Sequence, residues 1–116
     1  MYAIAQASVL ARDGLDITLL YSNKTKGDIL LRAELSELAE SSDDFKLHHT
    51  LTRHDEGRDG EWLGLTGRVT WKMMQSCGFP KPANDVLILT CGPKGLNETV
   101  RNICRENGYQ EGEMFV

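Results

Sequence analysis

Val86-Leu87-Ile88-Leu89-Thr90-Cys91-Gly92-Pro93 is the stretch that decides the fold. Its first five residues, VLILT, form a continuous run that reads as a strand buried on both faces, as in a parallel sheet. The run ends on a cysteine and then on Gly92 and Pro93. Gly92 lets a ligand approach the backbone closely. Pro93 fixes φ and suits the first turn of a helix. That helix is predicted over Lys94 to Asn107, with Leu96, Val100, Ile103 and Cys104 as its core stripe. Gly108 then supplies the C′ position, which tolerates positive φ.

The same alternation repeats upstream. Ile17 to Tyr21 (ITLLY) and Phe45 to Leu51 (FKLHHTL) read as strands. Thr25 to Asp28 has the form of a capping box and is expected to open a helix through about Glu40. In that helix Ile29, Leu31, Leu35 and Leu38 fall on adjoining faces. Met1 to Ala11 is predicted to be a short helix, and so is Val69 to Cys77. His54 to Gly67 is polar and glycine-bearing and is expected to be a loop, of a length that usually carries function. Pro80 and Pro82 mark a turn, and Met114 to Val116 a final short strand. Strands alternating with helices mean βαβ units and a parallel α/β sheet. Such sheets take ligands outside the carboxyl ends of their strands. Two of these ends are chemically distinctive: Thr50-Leu51-Thr52-Arg53 and Thr90-Cys91-Gly92-Pro93.

Composition narrows the function classes. The chain has 116 residues, 41% of them hydrophobic and 26% charged, as expected of one globular domain. A formal net charge of −4 without a basic run gives nucleic-acid binding no electrostatic support. No apolar run is long enough for a membrane segment, and the N-terminus lacks the pattern of a signal peptide. Cys77, Cys91 and Cys104 are odd in number and widely spaced, which argues for reduced thiols and a cytoplasmic location rather than a disulfide framework.

The remaining candidates are weighed by geometry. His48 and His49 point to opposite faces of a strand, so they do not make one metal site, and His54 adds no ligand spacing. No metal site is expected. Trp62 and Trp71 read as covers over core edges, and Met73-Met74 as packing. Asp55, Glu56, Asp59 and Glu61 read as a solvated acidic loop. On spacing alone, Cys91 is either a ligand-facing residue at a strand end or a buried structural thiol.

Five segments in order and register resemble one family: Leu20-Tyr21-Ser22-Asn23-Lys24-Thr25, Asp28-Ile29-Leu30-Leu31-Arg32, His49-Thr50-Leu51-Thr52-Arg53, Leu89-Thr90-Cys91-Gly92-Pro93 and Met114-Phe115-Val116. They resemble the C-terminal lobe of cytochrome b5 reductases and assimilatory nitrate reductases, over essentially the whole chain. The resemblance implies a three-layer, Rossmann-like α/β fold, the NADP-binding lobe of the ferredoxin reductase type, and a pyridine-nucleotide-binding domain over residues 1–116. It implies NADPH or NADH as cofactor and FAD held mainly by a preceding lobe. Hydride passes to the flavin, and electrons pass on to a haem acceptor of the cytochrome b5 type. By the same resemblance Cys91 lies nearest the hydride transfer and orients the nicotinamide without a covalent bond. Gly92, Pro93 and Leu96 line that end of the nucleotide, and Asn23 belongs to the cofactor-binding set.

Thr52 and Arg68 bear on the coenzyme. NADH-preferring relatives usually carry an aspartate where this chain has Thr52, and many carry an aromatic residue at Arg68. An arginine near the ribose favours a 2′-phosphate by charge and bidentate hydrogen bonding. Thr52, Arg53 and Arg68 therefore favour NADPH, with a solvated loop face as the competing reading of the two arginines, and Thr52 and Arg68 tilt the reading toward nitrate reductase. The family's first strand, its GGTGxTP turn and its flavin lobe have no counterpart here. The expectation is an incomplete domain, lacking its first strand, with weak or no reductase activity alone. The competing reading is a non-catalytic interaction module that kept the fold. A receiver-type domain is disfavoured because its acidic cluster and lysine at strand ends are not seen.

Overall fold

A computed structural model describes residues 6–7, 14–83, 85–109 and 114–115. The chain divides into two compact units, Met1–Arg68 and Val69–Val116. In both, every strand pairing is parallel.

The first unit holds β1 (Ile17–Asn23), β2 (Phe45–Leu51) and β3 (Leu65–Thr66) in the order β1-β2-β3. Ile17 is opposite Phe45 and Asn23 opposite Leu51, so odd-numbered residues of both strands share one face. Helix α1 (Arg32–Ser41) covers that face. Leu35 and Phe45 are buried at its centre, with Ile17, Leu19, Tyr21, Leu38, Ala39 and Leu47 packed around them. Burying two side chains of this size stabilises the unit by about 2 kcal/mol each.

The second unit holds α3 (Trp71–Ser76), β4 (Ile88–Leu89), α4 (Lys94–Glu106) and β5 (Met114–Phe115). A four-residue helix, α2 (Glu56–Asp59), precedes them in the first unit. Thr70 caps α3 by accepting a hydrogen bond from the N–H of Met73 at 3.1 Å. Met74 and Cys104 are fully buried. Helix α4 ends as its sequence predicts: Gly108 takes φ 93°, and the N–H of Tyr109 returns to the carbonyl of Cys104 at 3.0 Å. Tyr109 is buried edge-on against Trp71 and donates its hydroxyl to the carbonyl of Pro80.

Four expectations are corrected. The Thr25–Asp28 box closes only one 3-10 turn, Lys26–Asp28: the Asp28 carboxylate accepts from both the N–H and the hydroxyl of Thr25, at 3.1 and 2.9 Å. Ile29 is then extended and Leu31 left-handed at φ 55°, so the α-helix starts at Arg32. Ile29 and Leu31 therefore lie outside its core face. Second, the stretch from His54 to Gly67 is not all loop. Asp55 accepts from the N–H of Gly57 at 3.0 Å and caps α2, while Leu65 and Thr66 pair with Thr50 and Leu51. Third, in the VLILT run only Ile88 and Leu89 form a ladder, and Leu87 is 59% exposed. Within the strand Ile88 is buried and Leu89 half-buried. Fourth, Pro93 is the N-cap of α4 rather than a residue of its first turn. The helix expected over Met1 to Ala11 lies outside the described residues except at Gln6 and Ala7, which are helical, and Val116 also lies outside them.

Candidate functional site

In the first unit the carboxyl ends of three strands are tied together by the backbone. Past the last paired residues, the N–H of Thr52 donates to the carbonyl of Asn23 at 2.9 Å, and that of Arg53 to Lys24 at 2.9 Å. The N–H of Gly67 donates to Leu51 at 2.9 Å, and the buried hydroxyl of Thr50 donates to the carbonyl of Gly67 at 2.7 Å. Gly67 itself has φ 100°, which a residue with a side chain rarely adopts. These bonds set Asn23, Thr52, Arg53 and Arg68 at one edge of the sheet. Thr52 is half-buried, and both arginines are exposed and without an ion-pair partner among the described residues. The Nδ2 of Asn23 is buried and has no hydrogen-bond partner among the described residues. A buried donor left unpaired is uncommon and costly unless something else accepts from it.

A ring cluster lies behind this edge. The rings of Tyr21 and His49 lie tilted to one another with centroids 5.8 Å apart, and Trp62 meets the rings of His49 and His54, each at 6.3 Å. The Arg32 guanidinium sits over the Trp62 ring at 5.4 Å. Trp62 donates its indole N–H to Leu65 at 2.8 Å, and Lys26 donates to Glu61 at 3.1 Å, so the 54–66 segment is pinned at both points. Burial pushes the pKa of His49 down, and the charges of Arg32 and His48 add to the shift. Among the described residues no group of three or more metal-ligating side chains comes together.

In the second unit the strand-to-helix turn presents Cys91, Gly92 and Pro93 to solvent. The buried-thiol reading of Cys91 does not hold; Cys77 and Cys104 are the buried thiols, and burial raises the pKa of both. A Cβ placed on Gly92 would lie 2.8 Å from Leu96 Cδ2, so Leu96 already fills that space. The turn is braced by Asn97. Its Oδ1 accepts from the Thr90 hydroxyl at 3.0 Å, and its Nδ2 donates to the Gly92 carbonyl at 3.0 Å.

The sequence matches the oxidoreductase NAD-binding domain over residues 1–102. The chain belongs to this family. It is 35% identical over 114 residues to NADH-cytochrome b5 reductase 1 of Pyricularia oryzae, covering 96% of this chain and 35% of the relative. It is 31% identical over 121 residues to the NADPH nitrate reductase of Neurospora crassa, covering 100% of this chain and 12% of the relative. Among solved structures, the cytochrome b5 reductase domain of Ulva prolifera nitrate reductase superposes with a TM-score of 0.86 at 30% identity, covering 98% of this chain and 42% of that one. The chain thus spans about a third or less of the length of these curated relatives. The α/β parallel architecture expected from the strand–helix alternation is that of this oxidoreductase family.

Within the oxidoreductase NAD-binding domain, the sequence-predicted residues fall into two sets. Asn23, Thr52, Arg53 and Arg68 come together in the first unit, and Cys91, Gly92, Pro93 and Leu96 in the second. Sequence reading missed Asn97. The only signal for it was a polar residue seven positions after Thr90, one turn into an otherwise amphipathic helix. It also missed that Trp62 anchors a loop, although an indole amid polar residues needs a partner for its N–H.

Proposed function

We propose that this chain binds NAD(P)H for an FAD-dependent oxidoreductase of the nitrate reductase or cytochrome b5 reductase kind, with NADPH preferred. The observation that carries this reading is the edge formed by Asn23, Thr52, Arg53 and Arg68. It lies at the carboxyl ends of parallel strands, where open α/β sheets take ligands. It presents two guanidinium groups and, at Thr52, no carboxylate.

Each of the two sets of residues, taken by itself, fits a part of a pyridine nucleotide. The Nδ2 of Asn23, without a partner among the described residues, is a donor open to an acceptor. Gly92 leaves room for the Leu96 side chain, which packs against that turn, and the turn itself is exposed to solvent. When bound, the nucleotide would supply a hydride to a flavin held mainly by a preceding lobe, for onward transfer of electrons to a haem acceptor. The chain's own residues bind and orient. Arg53 and Arg68 hold the 2′-phosphate by charge-assisted hydrogen bonds. Thr52 accepts or donates at the ribose hydroxyls without repelling that phosphate. Cys91 orients the nicotinamide ring and forms no covalent bond with it. Pro93 and Leu96 give that ring an apolar neighbour. The neutral Thr52 and cationic Arg68 support the nitrate reductase alternative over the cytochrome b5 reductase one.

Calorimetric titration of the chain with NADPH and NADH tests the proposal. Tighter binding of NADPH is the expected result. Preference for NADH overturns the coenzyme assignment, and binding of neither leaves an interaction module that kept the fold.

A further inference from the structure

Cys91, Gly92 and Pro93 are exposed, so packing contributes little to holding the turn that contains them. Order must come from hydrogen bonds. Asn97 supplies them on both sides of Cys91: one to the hydroxyl of Thr90 before it and one to the carbonyl of Gly92 after it, each at 3.0 Å. The N–H of Asn97 also donates to the carbonyl of Pro93 at 3.1 Å. Asn97 is half-buried and rooted in the 13-residue helix α4, the longest in the unit. The stiffness of that helix is thereby passed to a turn that has little of its own.

We propose that Asn97 is a positioning residue: its side-chain amide bridges Thr90 and Gly92 and so fixes where the Cys91 thiol stands relative to the nicotinamide end of a bound nucleotide. The proposal rests on the reading of the chain as a pyridine-nucleotide binder. The Gly92 carbonyl is exposed and Thr90 is only half-buried. Without Asn97, water satisfies them, so overall stability changes little while the turn loses its fixed geometry. A residue with a purely structural role behaves the other way, costing stability and weakening every ligand alike.

The test uses the full chain and four forms: unchanged, Asn97→Leu, Asn97→Asp and Thr90→Val. Each is titrated with NADPH and with 2′-phospho-ADP-ribose, which lacks the nicotinamide. Alkylation of Cys91 by iodoacetamide is followed by mass spectrometry in each form. Loss of both bonds in Asn97→Leu weakens NADPH about tenfold. It leaves 2′-phospho-ADP-ribose within twofold, changes the Cys91 alkylation rate and removes protection of Cys91 by NADPH. Asn97→Asp keeps an acceptor for Thr90 and loses the donor to Gly92, and Thr90→Val does the reverse; each gives a partial effect. Equal weakening of both ligands, or unchanged binding with an unchanged alkylation rate, overturns the proposal. If the unchanged chain binds neither ligand, the nucleotide reading itself falls. The alkylation rates then still decide whether Asn97 fixes Cys91.

Discussion

Thr50 donates its hydroxyl to the carbonyl of Gly67 at 2.7 Å from a side chain that solvent does not reach. That bond joins β2 to the residue that precedes Arg68. Thr50→Val keeps the shape and removes the donor, leaving a carbonyl without its partner. The expected loss is about 1–3 kcal/mol of unfolding free energy. Urea denaturation checks it: the midpoint falls while the slope stays constant. An unchanged midpoint means that water reaches Gly67 and that the bond contributes nothing net.

The same edge sets the coenzyme prediction. Arg68→Ala removes one charge-assisted contact to a 2′-phosphate, so NADPH is expected to weaken about ten- to a hundredfold while NADH changes little. Thr52→Asp adds a carboxylate that bonds ribose hydroxyls and repels the phosphate, so preference shifts toward NADH. Fluorescence titration with both nucleotides reads the ratio. Equal effects on the two would place neither residue at the 2′ position.

His49 gives the first unit a pH dependence. Burial, then Arg32 and His48, hold its pKa below the ordinary 6.5. Between that lowered value and 6.5, the unfolded chain binds the proton and the folded chain does not. Stability therefore rises with pH through this window, is complete above about 6.5, and is lost on acidification. Melting temperatures from pH 7.5 down to 5 should fall, and His49→Phe should flatten the slope. A slope identical in both proteins assigns the dependence to other groups.

Leu35 is 2% exposed and packs on Phe45 beneath β1 and β2. Leu35→Ala leaves a cavity there and should cost about 2–5 kcal/mol. Chemical denaturation followed by circular dichroism measures it. A loss below 1 kcal/mol would show that α1 collapses onto the sheet.

The strand and helix identities were legible because they are local. A short apolar run such as ITLLY, bounded by Asp13-Gly14 and Ser22-Asn23 and too short for a helix, reads as a strand, and the stripe ending in Cys104 has one helical face. The capping box misled because Thr25 and Asp28 report a first turn and nothing beyond it. The extended Ile29 and the left-handed Leu31, which delay the helix to Arg32, leave no mark in hydrophobic spacing. Leu65 and Thr66 are too few to show a period, and their strand exists only because β2 offers them partners.

The sequence alone determined the alternating parallel α/β plan, the two chemically distinctive strand ends and the absence of a charge at Thr52, since these follow from residue type and order. Only the tertiary structure decided that Asn23 keeps a buried donor without a partner among the described residues, that Thr50 ties Gly67 to β2 and that Asn97 brackets Cys91. Each depends on the direction of a hydrogen bond between elements brought together by packing. Direction is a property of folded backbone geometry that no single segment carries.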